Sequence, residues 1–95
     1  MAGRARDTPR WKGRSPVVIG DGTVNGKPII RAWESFTGWY WLATEHEGNG
    51  RYFGFVVGLY PEWGYFSEAE LKAASPWVWE LPKRAIEWVS KVVQP

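Results

Sequence analysis

Apolar residues in this chain come in short runs cut by glycine, asparagine and proline, and only near the C-terminus does their spacing become helical. Val17-Val18-Ile19 is closed by Gly20-Asp21-Gly22, and Asn25-Gly26 precedes a second run from Pro28 to Glu34, which predicts a first hairpin. Gly38 opens the aromatic, β-prone run Trp39 to Glu45, and Glu47-Gly48-Asn49-Gly50 turns it into Arg51 to Tyr60, which predicts a second. Ser67 followed by Glu70 is a capping box, so a short helix is expected over 67–74, stopping before Ser75-Pro76. Pro82 suits a first helical position. After it Ala85, Ile86, Trp88, Val89, Val92 and Val93 recur at three- and four-residue spacing, predicting an amphipathic helix over 82–93. The expected class is α+β: a small twisted antiparallel sheet of about four to five strands in two hairpins, with two helices.

The second hairpin has two apolar faces. With Gly48-Asn49 at its tip, Tyr40 faces Val57, Leu42 faces Phe55 and Thr44 faces Phe53, a conventional core surface. The other face carries Trp39, Trp41, Ala43 and Glu45 beside Tyr52, Gly54, Val56 and Gly58, so large rings stand over glycines. Glycine inside a strand marks a close approach to the backbone, and Gly54 and Gly58 read as the floor of a slot walled by Trp39, Trp41 and Tyr52. The slot has three candidate fillings: the C-terminal helix through Ile86, Val89 and Val93, the tryptophan rings themselves, or a partner. With Glu62 and Tyr65 added, Trp39, Trp41, Glu45, Tyr52, Gly54 and Gly58 form the candidate partner surface.

The chain has 95 residues, eight of them tryptophan. Their rings are the expected packing mass of one domain over 17–95. With no cysteine there is neither disulfide nor thiolate chemistry, which fits a reducing cytoplasm, and no apolar run approaches a membrane span. The net charge is +2, but Arg4, Arg6, Arg10, Lys12 and Arg14 against Asp7 give the first 14 residues a surplus of four, leaving −2 for the rest. Residues 1–16 thus read as a flexible basic arm. Its cations, interleaved with Trp11, could neutralise phosphates and stack on a base, making nucleic acid its candidate partner. The scarcity of amide side chains (Asn25, Asn49, Gln94) is compatible with a thermophilic source.

Signs of catalysis are weak. His46 lies between Glu45 and Glu47, and strand alternation sends it to the opposite face from both, so no metal or other cofactor site is expected. No serine sits in a nucleophile elbow. Both Gly-x-Gly patterns fall in turns rather than between a strand and a helix, which removes the phosphate-cradling reading. Glu45 and Glu62 could serve as a carboxylate pair only if they converge near the Trp39 and Trp41 slot.

The run from Trp39 to Leu71 resembles an uncharacterised family, domain of unknown function two-nine-five-eight. Ala43-Thr44-Glu45, Phe53-Gly54-Phe55-Val56-Val57-Gly58 and Pro61-Glu62-Trp63-Gly64-Tyr65-Phe66-Ser67 match its blocks in order and spacing. The N-terminal part and the Trp77-Val78-Trp79 region depart from it. The resemblance implies a small intracellular accessory protein of mobile genetic elements and supplies no activity. Three readings stay open: a noncatalytic module contacting protein or nucleic acid, a small hydrolase-like enzyme using Glu45 and Glu62, and a homodimer joined through the Trp39, Trp41 and Tyr52 face.

Overall fold

The computed structural model describes residues 16–93. The first elements are three two-residue strands, β1 (Ile19–Gly20), β2 (Thr23–Val24) and β3 (Lys27–Pro28), in an antiparallel meander. Asp21-Gly22 and Asn25-Gly26 form its turns, all four residues at positive φ, the geometry that tight two-residue hairpins require. The expected single hairpin from Val17 to Glu34 is therefore two smaller ones. The apolar run after Asn25-Gly26 is divided between two sheets: the Ile29 N–H bonds back to Gly22, while that of Ile30 bonds to Ala43.

The larger sheet contains β4 (Arg31–Ser35), β5 (Tyr40–Gly48), β6 (Arg51–Val57), β7 (Pro61–Ser67) and β8 (Val78–Leu81), in the order β7-β6-β5-β4-β8 with antiparallel neighbours throughout. Helix α1 (Glu68–Ala73) links β7 to β8. Its capping box is present, with the Ser67 hydroxyl accepting from the Glu70 N–H and Glu70 accepting from the Ser67 N–H. A 3-10 turn at Lys83–Ala85 leads into α2 (Ile86–Val92); Pro82 is extended and precedes the turn instead of starting a helix.

Each face of this sheet has its own core. On the first face Ala32, Leu42, Phe55 and Leu81 are covered jointly by Ile86, Val89 and Val93 of the C-terminal segment and by Ile19, Val24 and Ile29 of the meander. Ser90, fully buried, fastens the two covers: its hydroxyl accepts from the Gly22 N–H at 2.8 Å and donates to the Glu87 carbonyl at 2.7 Å. On the second face Trp33, Ala43, Tyr52 and Phe66 gather under Leu71 of α1. The C-terminal helix thus covers the Leu42 and Phe55 face and leaves the tryptophan slot to other elements, while Trp88 and Val92 point outward.

Two further expectations change. Register follows the predicted pairing from Tyr40 to Ala43, and a bulge then makes Thr44 an extra residue, so Glu45 rather than Thr44 opposes Phe53 and His46 opposes Tyr52. A second shift leaves Asn49-Gly50, not Gly48-Asn49, at the tip. The bulge exchanges faces: Glu45 moves to the first, His46 to the second. The tryptophans, moreover, are not mainly core. Among the described residues only Trp33 is buried, at 3% exposure, with its ring 5.7 Å from Phe66 in T-shaped contact.

Candidate functional site

Helix α1 has six residues, about 9 Å of axis, and packs against β7 and β8 at the Trp33–Tyr52–Phe66 end of the second face. The rest of that face is thinly covered. Trp41 and Val56 are half-buried, Trp39 is exposed, and a methyl group built on Gly64 would meet no heavy atom within 4 Å. The two glycines expected to floor a slot are both occupied. A methyl on Gly54 would run into the Leu42 carbonyl oxygen and the Ala43 Cα, so β5 itself fills that space. One on Gly58 would come within 2.5 Å of the Trp39 ring, which lies across it. Of the three fillings open to the sequence, the tryptophan ring is the one found at Gly58.

Bare surface continues around the end of the sheet where β4 and β6 finish and β5, β7 and β8 begin. Phe36, Leu59, Tyr60 and Trp77 are 60–77% exposed there, with Trp39 at 39%. Their segments, Ser35 to Trp39, Gly58 to Pro61 and Ala74 to Trp77, contain no charged residue. They are also fastened together. The Phe36 N–H donates to the Trp77 carbonyl at 3.0 Å and the two rings sit 5.3 Å apart. The Ser35 hydroxyl accepts from the Trp39 N–H at 3.0 Å, closing a turn in which Gly38 takes positive φ. Trp39 then reaches Gly58 on one side and Trp41, at 5.9 Å, on the other. The result is an aromatic rim in which Phe36, Trp39 and Trp77 are fastened, with Leu59 and Tyr60 following the Gly58 on which Trp39 is seated.

A second cluster lies at the opposite end of the second face. Arg31 donates through Nε and Nη2 to both oxygens of Glu80, through Nη1 and Nη2 to both oxygens of Glu68, and through Nη1 to the Tyr52 hydroxyl. That accounts for all five guanidinium N–H groups. The cation also lies 4.8 Å from the Trp33 ring centre. These bonds to Glu80 and then Glu68 raise the Arg31 pKa further, and the bond to Arg31 holds the Glu68 carboxyl below its ordinary value. A cleft of about 330 Å³ opens beside them, lined by Ile30, Arg31, His46, Tyr52, Glu80 and Lys83 among others. With its donors used internally, Arg31 acts as a clamp joining β4, β6, β8 and α1. On the first face burial, and then a bond to Glu34, raises the Tyr40 hydroxyl pKa.

The predicted site residues are therefore divided. Trp39, Trp41, Gly58 and Glu62 share the second face near the rim; Tyr52 and Gly54 are buried; Glu45 and Tyr65 belong to the first face. Glu45 pairs with Lys27 at 3.2 Å and Glu62 stands opposite Val56, so the two carboxylates are on opposite sides of the sheet and do not converge. His46 stacks on Tyr52 at 4.8 Å, and no group of metal-ligating side chains occurs among the described residues. Arg4, Arg6, Arg10, Trp11, Lys12 and Arg14 lie outside the described residues. Phe36, Leu59, Tyr60 and Trp77 were not singled out from sequence. Their signal is a large apolar side chain in a turn within two residues of glycine or proline, where no strand face can bury it. No protein-family model, curated protein or solved structure matches the chain. Among the described residues no helix is long and apolar enough to cross a membrane.

Proposed function

We propose that this chain is a noncatalytic binding module whose folded part contacts a protein partner through the rim formed by Phe36, Trp39, Leu59, Tyr60 and Trp77. The observation that carries this reading is the concentration of exposed aromatic and aliphatic side chains in three segments without a charge. Protein contact surfaces favour aromatic anchors and exclude charges from their centre, whereas nucleic acid demands cations that the rim lacks. The resemblance of residues 39–71 to a mobile-element family supports an accessory role of this kind. Placement of Glu45 and Glu62 on opposite faces gives the hydrolase-like alternative no support.

A second contact is carried by the charge surplus of the first 14 residues, which favours nucleic acid as the partner of the arm. The rim reading is tested by immobilising the full chain and a Leu59→Glu, Trp77→Glu double variant and exposing both to an extract of cells that encode it. A protein retained by the parent and lost from the variant is the expected result. Equal retention by both would remove the rim from the function.

A further inference from the structure

Resting on that reading, we propose that the occupant of the rim is a second copy of this chain, docked end to end. Three observations converge on a self-contact. The first is area. Five side chains at 39–77% exposure, each offering about 150–250 Å² in full, present roughly 600 Å² of apolar surface. That is the upper end of the size of the largest patch on a typical monomer, which is often functional. Two copies face to face would cover about 1,200 Å², the lower edge of specific interfaces and above most crystal contacts, with Trp41 and Val56 adjoining.

The second is charge. In a two-fold contact a charge near the axis meets its own counterpart, a like charge, and a charge farther out needs an opposite partner within the same patch. The rim segments contain no charge, although 22 of the 95 residues are Lys, Arg, Asp or Glu; Glu62, exposed on the same face opposite Val56, borders them. The third is preorganisation. The Phe36–Trp77 backbone bond and the seat of Trp39 on Gly58 hold three of the five side chains in place before contact, so less ordering opposes association. In this arrangement the rim is the dimer interface, and both the Arg31 clamp and the outer surface of α2 remain outside it.

Sedimentation velocity of the full chain from about 1 to 500 µM tests the proposal, since an interface of this size is expected to associate in the micromolar range. The expected result is a mass that doubles with concentration. Leu59→Glu and, separately, Tyr60→Glu should weaken association at least about 100-fold, because each buries two unpaired carboxylates about one axis. Trp88→Glu, at an exposed position on α2, should leave it unchanged. Both rim positions are more than 70% exposed, and unaltered circular dichroism would show that the variants fold.

Single-chain mass at every concentration overturns the proposal. So does a dimer that both rim variants leave intact. In the first case the extract experiment separates the two readings: rim-dependent capture would leave the contact surface standing with another protein as occupant, and no capture would sink both. Recruitment of the monomer to phosphatidylcholine vesicles, lost in Leu59→Glu, would overturn the second-copy proposal in favour of a lipid surface.

Discussion

Gly54 and Gly64 face each other across β6 and β7, yet a methyl group would meet opposite surroundings at the two. At Gly54 it strikes the backbone of β5, which cannot turn aside; at Gly58 it strikes the six-membered ring of a partly exposed tryptophan; at Gly64 it meets nothing. The expected order of damage follows. Gly54→Ala should lower stability by about 3 kcal/mol or more, as overpacking against rigid atoms does. Gly58→Ala should cost about 1 kcal/mol and displace Trp39, visible as a shift in tryptophan emission. Gly64→Ala should be neutral or stabilise by up to about 1 kcal/mol, since alanine restricts the unfolded chain and loses nothing here. Urea titrations with a common slope measure all three. Equal midpoints for Gly54→Ala and Gly64→Ala would refute the close approach of β5 and β6.

Among elements, what the sequence disclosed depended on whether the determining contacts were local. The capping box at Ser67 and Glu70, the stop before Pro76 and the pairing of Tyr40 to Ala43 with β6 depend on nearby residues and were legible. The bulge at Thr44 was not, because nothing in Ala43-Thr44-Glu45 distinguishes an extra residue from a paired one. Its consequence, the exchange of Glu45 and His46 between faces, could not be foreseen either. Strands β7 and β8 were missed for a related reason. The glycine in Glu62-Trp63-Gly64-Tyr65-Phe66 reads as a breaker, and the four residues of β8 acquire their pairing only from distant β4. As for the site, Trp39, Trp41 and Gly58 were legible as unusual, but their exposed neighbours come from three separated turns that only the topology brings together.

The same topology joins α1 to β4 and β8 through Arg31, and this junction should be sensitive to acid. Glu68 keeps its charge in the folded protein at pH values where the unfolded chain takes up a proton, so the unfolded state binds more protons there. Its stabilising contribution is present above about 4.3, the ordinary glutamate value, and is lost as pH falls through the lower folded value. Thermal midpoints between pH 7 and pH 3 should fall in the parent chain. Glu68→Gln should start lower at pH 7 and decline less steeply. Parallel curves for the two proteins would mean that Glu68 is not the group whose protonation weakens the clamp.

At the scale of the whole molecule the opposition is between a basic first segment and a body of net −2 that carries an uncharged aromatic rim. On the proposed reading two partners of different chemistry would be held without competing, one by electrostatics and one by apolar contact. Fluorescence titration with a single-stranded oligonucleotide should show binding by the intact chain at low salt, with a log–log salt slope of about −2 to −3.5 for three to five neutralised phosphates. A chain beginning at Ser15 should not bind. Should it bind as well as the intact chain, the contact must lie on the folded body, and its place would be the ladder on the first face. There Arg51 sits 4.8 Å from the Tyr65 ring, Tyr65 4.9 Å from Phe53, and Phe53 lies parallel to Trp63. That ladder is an aromatic surface that carries its own cation, so Arg51→Ala in the shortened chain would test this location.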